Sequence, residues 1–307
     1  MIGQSALGWA ALWDGGEPLY STSFWESKRN RERLAHLAVH GILIIGGFLV
    51  LVPLVWQVLS SLKDVGQIFL FPPRWIPNPV RWSNYVGIFE LMPFGLYAFN
   101  STFITVSNII GYMLSCTIVA YAFARLRARG KAVLFVLVLS TMMLPQQVVM
   151  VPLFVLFRLL GWIDTFKPLI VPSFFGNAFL IFMLRQFFMT IPRDLDDAAK
   201  MDGCGVLGIL RHVILPLSGP ALATVAIFGF LWHWNDFLFP LIFLSSEENK
   251  TLQLGLAGVL RQVYGDGVGR WDLLMAASTV VMLPPLLLFV FAQRYFLEGI
   301  AMTGLKG

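Results

Sequence analysis

A few polar side chains interrupt long apolar stretches of this sequence, and their types suit the recognition of hydroxyl-rich molecules. The clearest is Asp236, in the run WHWNDF, where Trp234 and Asn235 stand beside the carboxylate. Aromatic faces stack on sugar rings, and amide or carboxylate groups bond to sugar hydroxyls. A structural interpretation weighs equally: Trp234 and Asp236 anchor an interface, or Asn235 bonds a partner subunit.

Three amides are further candidates for the same polar pathway: Asn108, and Gln146 and Gln147 directly after Pro145. Pro145 frees a backbone carbonyl that a neighbouring amide can satisfy, so a structural use is favoured for them. No His or Cys cluster has the spacing of a metal site, and no G-x-x-x-x-G-K-[ST] phosphate loop occurs. The sequence therefore indicates no metal or other cofactor bound by this chain.

The composition determines what kind of scaffold must position these residues. The chain has 307 residues, of which 57% are hydrophobic and 13% charged, and its mean hydropathy is +0.75. Uncharged apolar runs of about 18 residues or more are typical of membrane-spanning helices. The prediction is an all-α polytopic membrane protein with six transmembrane helices, at about 41–62, 100–124, 132–157, 168–190, 217–244 and 273–293.

The distribution of Lys and Arg predicts the orientation of these spans. Of the 22 basic residues, 13 lie near the two termini, in the RLRARGK loop or between spans four and five, against 8 in the opposite loops. Both termini are therefore predicted to be cytoplasmic, with residues 1–35 forming a tail and residues 36–307 the transmembrane domain. This bias accounts for the basic sequence pI of about 9.4 without a nucleic-acid partner.

The segment between spans four and five, residues 191–216, is called the elbow below. Its sequence predicts a short helix with three carboxylates in the first turn, where the helix dipole favours them: Asp194, Asp196 and Asp197. Gly203 can take the left-handed conformation that ends such a helix. A second helical pattern follows, up to Pro216. In an arbitrary membrane protein, an amphipathic connector lying in the interface is the preferred interpretation.

The spacing within the elbow resembles a signature of the permease subunits of ATP-binding-cassette importers. That signature is Glu-Ala-Ala, three residues, Gly, nine residues, Ile, one residue and Leu-Pro. Here it reads Asp197-Ala198-Ala199, then Gly203, Val213 and Leu215-Pro216. Asp for Glu and Val for Ile are conservative departures, and Leu210 stands where the carbohydrate branch usually has Phe. From about residue 36 onward the chain is similar to the MalG-like branch of carbohydrate importers, including TMMLPQQVVMVPLF, FLWHWNDFLFPLIFL and the ending GIAMTGLKG.

The resemblance implies that the elbow is a cytoplasmic coupling helix docked on a separate ATPase. The residues that would couple to the ATPase are Asp197, Ala198, Ala199, Asp202, Gly203, Leu215 and Pro216. A further candidate contact is the C-terminus, with Gly304, Lys306 and Gly307. The implied partners are a second homologous permease, two ATP-binding-cassette ATPase subunits, an extracytoplasmic sugar-binding protein and membrane lipid. ATP and Mg would bind to the ATPase subunits, so this chain is expected in the cytoplasmic membrane as a transport subunit and not as an enzyme.

The leading hypothesis is import of a sugar, from mono- to oligosaccharide, held by this subunit or by its partner permease. One alternative keeps the mechanism and changes the solute, for example to glycerol phosphate. Another is an ion-coupled secondary transporter or a channel, which would work without an ATPase and would leave the spacing of the elbow a coincidence. A membrane enzyme is disfavoured because no nucleophile, base and orienting residue appear together.

Overall fold

The computed structural model describes residues 28–265 and 269–304, and every regular element within these ranges is helical. The α-helices are α1 (Lys28–Ser60), α2 (Val65–Ile68), α3 (Ser83–Leu91), α4 (Phe94–Arg125), α5 (Lys131–Ser140), α6 (Gln146–Leu159), α7 (Lys167–Ile170), α8 (Ala178–Thr190), α9 (Asp194–Met201), α10 (Val206–Ile209), α11 (Leu215–Leu217), α12 (Gly219–Trp234), α13 (Leu238–Phe243), α14 (Leu252–Gly265) and α15 (Trp271–Gly304). Short 3-10 helices cover Thr141–Met143, Val171–Phe175 and Glu247–Asn249, and a π-helical turn covers Leu210–Ile214.

The chain divides into two units between Trp56 and Gln57. The first contains α1 up to Trp56, and Pro53 lies inside this helix without ending it. The 26 residues Ala35–Ser60 are long and apolar enough to cross a membrane. All elements from α2 onward belong to the second unit.

Several helices have the length and composition of membrane spans. Four continuous segments qualify: Ala35–Ser60, Phe94–Arg125, Lys167–Thr190 and Trp271–Gln293. Two bent pairs also qualify: Lys131–Met143 with Gln146–Leu159, bent by 99°, and Val206–Leu217 with Gly219–Trp234, bent by 82°. The described residues thus contain four to six candidate spans. The all-helical membrane architecture is confirmed at that level.

Two of the predicted spans, 132–157 and 217–244, are interrupted in the structure. Leu144 is extended, with ψ at 117°, because the ring of Pro145 disfavours helical backbone in the preceding residue. In the second case α12 ends at Trp234 and α13 begins at Leu238. Asp236 therefore lies in a break between two helices and not inside a continuous one.

The core of the second unit lies where α4 packs against α8 and α12. Small side chains of α4 meet larger apolar side chains of its neighbours in one buried cluster: Cys116, Ala120 and Ala124 from α4, Leu180 and Leu184 from α8, and Val225 from α12. Gly111 allows another close approach, since a Cβ there would clash with Ser173 Oγ. Close packing of this kind makes α4 the central helix of the unit.

The N-terminal end of α4 holds the segment that joins α13 to α14. The Asn100 amide donates to the carbonyls of Glu248, at 2.8 Å, and Lys250, at 2.9 Å. The N–H of Leu252 donates to Ser101 Oγ at 2.9 Å. Because these bonds satisfy backbone groups through side chains of one rigid helix, the segment is fixed in place.

A second set of hydrogen bonds, called the Asp164 hub, holds the same segment and consists of Asp164, Ser245, Ser246 and Asn249. Asp164 Oδ1 accepts from the N–H groups of Ser245 and Ser246, each at 2.9 Å, and the Ser246 hydroxyl donates to Oδ2. Asn249 donates to the Asp164 carbonyl at 2.8 Å. The bonds from Ser246 and Ser245 hold the pKa of Asp164 well below its usual range because they stabilise the anion.

Candidate functional site

The elbow has the helix, break and second helix that its sequence predicts. Within α9, Asp196 and Ala199 are three residues apart, so they share one face, and both are buried, at 7% and 8% exposure. Asp197 and Ala198 are exposed, and Met201 is 90% exposed. The two Ala residues of the signature therefore have opposite surroundings: Ala199 packs against the core of its own chain, and Ala198 faces outward.

Gly203 ends α9 in the predicted left-handed conformation, with φ at +85°. Its N–H donates to the Lys200 carbonyl at 3.0 Å, and the N–H of Cys204 donates to the Ala199 carbonyl at 2.9 Å. This pair of bonds is the Schellman arrangement of a helix C-terminus, with Asp202 as the exposed C-cap. A residue with a side chain is strained at this φ, so the end of α9 depends on glycine.

An exposed ion pair lies on the outward face of α9. Asp197 Oδ1 is 2.7 Å from Lys200 Nζ, and the side chains are 68% and 60% exposed. The hydrogen bond and charge of Lys200 lower the pKa of Asp197. Exposed pairs contribute little to stability, so Asp197 is an anionic group that can exchange Lys200 for a partner's donor.

The second half of the elbow contains Leu215 and Pro216, in α11 beside the 82° bend. Pro216 has no N–H to donate to the preceding turn, and the helix before it widens into the π-helical turn Leu210–Ile214. Ser218 is fully buried, and its hydroxyl donates to the Ile214 carbonyl at 2.6 Å. The bend is therefore built from local backbone constraints next to the coupling signature.

Three cavities meet at Asp236, in the break between α12 and α13. The largest, of about 380 Å³, is lined by Tyr112, Gln146, Asn177, Trp232, His233, Asp236 and Phe239. A second, of about 240 Å³, adds Gln147 and Asn235. A third, of about 140 Å³, extends to Asn108.

The groups around Asp236 combine aromatic faces with hydrogen-bonding atoms. Asp236 Oδ1 accepts from the N–H of Phe239 at 3.3 Å, which places the carboxylate at the start of α13. Tyr112 Oη lies 3.1 Å from His233 Nε2, and the Tyr112 ring stands edge-on to Trp232 with centroids 6.4 Å apart. The described residues that line these cavities include no Lys or Arg. Such a site can stack on and bond to a polyhydroxylated solute.

Comparison with known proteins assigns this arrangement to a family. Residues 116–301 match the binding-protein-dependent transport system inner membrane component family. The chain belongs to this family of permeases. The matched region covers the elbow, α12 and the Asp236 break, whereas Asn108 and Tyr112, which line the cavities, lie before it. The expected family, membrane location and transport role are confirmed.

The permease is similar to several curated relatives over most of its length. It is 34% identical over 263 residues to the arabinooligosaccharides transport system permease protein AraQ of Halalkalibacterium halodurans, covering 85% of this chain and 92% of that protein. It is 32% identical to the sulfoquinovosyl glycerol transport system permease protein SmoH of Agrobacterium fabrum, covering 87% and 91%. It is 31% identical to the sn-glycerol-3-phosphate transport system permease protein UgpE of Yersinia enterocolitica, covering 85% and 94%.

A solved structure has the same fold. It is a bacterial ABC transporter involved in the import of the acidic polysaccharide alginate, and it aligns with a TM-score of 0.77 at 24% identity, covering 87% of this chain and 98% of that chain. This likeness shows that the two chains share one fold over the aligned residues.

The structure of the permease brings four of the six predicted pathway residues together. Gln146, Gln147, Asn235 and Asp236 line the cavity of about 240 Å³. Asn108 borders only the smallest cavity and is 1% exposed, and its amide donates to two backbone carbonyls at 2.8 and 2.9 Å. Asn108 is therefore placed as a structural bridge between helices.

Trp234, the sixth predicted pathway residue, points away from the cavities. Its indole N–H donates to the Val281 carbonyl at 3.0 Å, and its ring stacks on Phe230. Trp232 lines the cavity instead, because residues two apart on a helix point to different sides. Among the polar and aromatic lining residues, sequence reasoning missed Tyr112, Asn177 and His233. A signal existed for Tyr112, which follows Asn108 by one helical turn.

The remaining predicted contact lies mostly beyond the described part of the permease. Gly304 is the last residue of α15, whereas Lys306 and Gly307 lie outside the described residues, as do residues 1–27 of the predicted tail. Among the described residues, no group of three His, Cys, Asp or Glu side chains is placed to hold a metal ion.

Proposed function

We propose that this permease forms, with a second homologous permease, the membrane pathway of an ATP-driven importer for a sugar. In this proposal residues 36–307 cross the membrane six times, both termini are cytoplasmic, and residues 1–35 form a cytoplasmic tail. The elbow is the coupling helix between spans four and five, and it docks on two ATPase subunits that bind ATP and Mg. An extracytoplasmic sugar-binding protein delivers the solute, and this chain has no ATPase site of its own.

The outward face of the elbow is the observation that carries the proposal. Met201 is 90% exposed, Leu207 is 72% exposed and Leu195 is 41% exposed, beside the anionic Asp197. A cluster of exposed apolar side chains rimmed by charge is typical of a surface that binds another protein. Ala198, in the middle of this face, lets a partner approach the helix closely.

A coupling element must be stiff because alternating access is an equilibrium between two conformations. Changing the preference from 1:99 to 99:1 takes about 5.5 kcal/mol of differential binding. The closed C-terminus of α9 and the burial of Ala199 support such stiffness, since the helix ends in a fixed conformation and one of its faces packs on the core. Force applied to the outward face is then passed to the core around α4.

The surroundings of Asp236 favour a neutral solute over a phosphorylated one. Proteins usually recognise phosphate groups with Arg or Lys, and none lines these cavities within the described residues. The Asp236 carboxylate would repel an anionic solute. A sugar like that named for AraQ is therefore the first candidate, and sn-glycerol 3-phosphate, named for UgpE, is the second.

Co-purification tests the docking of the elbow. The tagged permease is co-expressed with its partner permease and cognate ATPase subunits, as wild type, as Ala198→Phe and as the control Ala198→Ser. We expect the ATPase to co-purify with the wild type and with Ala198→Ser but not with Ala198→Phe, whose ring projects from the outward face. Equal recovery of the ATPase with Ala198→Phe would refute docking through this face.

Uptake by reconstituted complexes tests the solute. Vesicles that contain the complex and the binding protein are supplied with radiolabelled arabinooligosaccharides or with sn-glycerol 3-phosphate. We expect ATP-dependent uptake of the neutral sugars and none of the phosphate ester. Uptake of sn-glycerol 3-phosphate alone would replace the first candidate with the second, and uptake driven by an ion gradient without ATP would favour a secondary transporter.

A further inference from the structure

The cytoplasmic end of α4, as oriented in the proposal above, holds both halves of the elbow. Arg125 Nη2 donates to the Ile191 carbonyl at 2.7 Å, and Arg125 Nη1 lies 3.5 Å from Asp196 Oδ2. One helical turn earlier, the Tyr121 hydroxyl donates to the Val206 carbonyl at 3.0 Å. Since Tyr121 and Arg125 share one face of α4, a single turn of this helix is bonded to the segment before α9, to α9 itself and to the segment after it.

The ion pair between Arg125 and Asp196 is buried, with the side chains 4% and 11% exposed. Among the described residues, neither Arg125 Nε nor Asp196 Oδ1 has a hydrogen-bond partner. A buried pair with unsatisfied atoms is a poor way to stabilise a fold, because its desolvation penalty is not fully offset. What the pair does provide is a directional contact, because it forms only when Arg125 of α4 lies next to Asp196 of α9.

The apolar contacts around this ion pair do not fix the position of α9 along α4. Ile191 and Ala199 belong to the same buried apolar cluster as Ala120, Tyr121 and Ala124. Apolar packing of this kind is non-directional, so by itself it lets a short helix shift along its neighbour. The guanidinium fork of Arg125, which bonds two groups at once, fixes the position of α9 along α4.

We infer that Arg125 is a positioning residue that transmits movement of the elbow to α4, with Asp196 as its charged partner and Tyr121 as a second attachment. This inference rests on the proposed function, in which ATPase subunits move the elbow. Loss of Arg125 leaves the outward face of α9 intact, so the ATPase subunits still dock and hydrolyse ATP. The movement is then no longer passed to α4, and hydrolysis is uncoupled from transport.

The first test uses the purified permease alone and measures hydrogen exchange in the elbow. In Arg125→Gln, amides of residues 194–206 are expected to exchange at least fivefold faster than in the wild type, while those of α8 exchange at the same rate. The matched control is Arg129→Gln, which removes an exposed arginine four residues further on and is expected to change neither rate. Unchanged exchange of the elbow in Arg125→Gln would overturn the inference, whether or not the permease is part of an importer.

The second test uses the assembled complex in vesicles with the arabinooligosaccharide or sn-glycerol 3-phosphate probe, whichever stimulates the wild type. Arg125→Gln is expected to retain ATPase subunits and basal hydrolysis within about twofold, while solute transported per ATP falls at least fivefold. Asp196→Asn removes the ion pair but keeps the bond from Arg125 to Ile191, so a smaller fall in solute transported per ATP is expected. The double variant is expected to be no worse than Arg125→Gln, which already removes the ion pair. Arg125→Lys, which keeps the charge but not the fork, is expected to be intermediate.

A purely structural role would give a different result. In that case Arg125→Gln would lower the melting temperature and the yield of complex, but each assembled complex would transport as much solute per ATP as the wild type. That outcome would overturn the inference. Absence of solute-stimulated hydrolysis in the wild-type complex would instead count against the proposed function, and the exchange experiment would still decide the role of Arg125.

Discussion

The two ends of α4 are attached to their surroundings in different ways. At its N-terminal end, Asn100 and Ser101 hold the segment between α13 and α14 by three hydrogen bonds, and the Asp164 hub holds the same segment again. At its C-terminal end, the elbow is held by Tyr121 and by the incompletely bonded Arg125–Asp196 pair. The segment at the N-terminal end is therefore held by two independent sets of hydrogen bonds, whereas the elbow at the C-terminal end is held by only a few directional contacts.

This difference indicates that the elbow can move more easily than the segment held by the Asp164 hub. Elements that shift during function come from regions whose local stability is low, and the elbow has fewer hydrogen bonds to the core than the Asp164 hub has to its segment. At about 1.5 Å per residue, Asn100 and Arg125, which are 25 positions apart in α4, are separated by about 38 Å along the helix axis. A rigid helix of that length can carry a displacement from the elbow to the opposite side of the unit.

The largest expected effect comes from Gly203→Val, which disables the elbow and leaves the Asp164 hub untouched. A β-branched residue at φ +85° is strained by at least about 1–2 kcal/mol. No atom would obstruct the new Cβ, so the strain lies in the backbone. We expect normal membrane insertion and a tenfold or greater loss of solute-stimulated ATP hydrolysis in the assembled complex.

Gly205→Val is the matched control for this change. Gly205 has φ −75° and ψ 176°, which any residue adopts, and open space around its Cβ position. Stimulation close to wild type is expected. If Gly203→Val and Gly205→Val had the same effect on solute-stimulated ATP hydrolysis, the left-handed conformation of Gly203 would not be needed for coupling.

Asp164→Ala is expected to have the next largest effect, on stability and not on coupling. It removes a carboxylate that accepts four hydrogen bonds, and bonds to a charged group contribute about 1.5–3 kcal/mol. The unfolding free energy in detergent should fall by about 2 kcal/mol, with transport per ATP unchanged in the folded fraction.

Asp64→Ala is the control aspartate, since Asp64 is 47% exposed in its pair with Arg81 and otherwise accepts one long bond, from the Gly66 N–H at 3.4 Å. Such exposed pairs contribute about 0–1 kcal/mol. If Asp164→Ala lowered the unfolding free energy no more than Asp64→Ala does, the Asp164 hub would not be what holds its segment in place.

A smaller effect is expected when pH is used to weaken the hub. The lowered pKa of Asp164 means that its contribution to stability is present above the unfolded-state value, about 3.9, and is lost as pH falls toward the lower folded-state value. The melting-temperature difference between the wild type and Asp164→Asn should be constant from pH 7 to about 5 and narrow below about 4. If this difference in melting temperature grew as the pH was lowered, the ionised Asp164 carboxylate would not be the form that stabilises the fold.

The smallest effect is expected for Lys200→Ala, which removes the exposed partner of Asp197. The pKa of Asp197 should rise toward its ordinary value because its hydrogen bond and nearest positive charge are lost. The melting temperature should not change measurably, since exposed pairs contribute little. A clear fall in the melting temperature would mean that this pair holds α9 in place, which is the role assigned above to Arg125.

The sequence predicted the elbow well because its signals are local. The first-turn carboxylates, the end of α9 and the left-handed Gly203 all follow from a dozen adjacent residues. The inward position of Ala199 was not predicted, because it shares its buried face with Asp196, and Asp is a residue type that is mostly exposed. The ion pair with Arg125 was not predicted either, because it joins residues far apart in the chain.

Prolines show the limit of prediction for the spans. Pro53 lies inside α1 and Pro284 and Pro285 lie inside α15, yet Pro145 stands at a 99° bend. Whether a proline is accommodated depends on which neighbours satisfy the freed carbonyl, and this is a tertiary property. For the same reason the break at Asp236, and with it the cavities, could not be derived from an apolar run.

The most direct test of the central claim, that a separate ATPase drives this permease through the elbow, is solute accumulation in vesicles. The permease pair is reconstituted with and without its ATPase subunits, with binding protein and labelled solute outside and ATP and Mg supplied to the ATPase side. Accumulation against the gradient is expected only when ATPase subunits and ATP are both present. Uphill accumulation by the permeases alone would contradict the account.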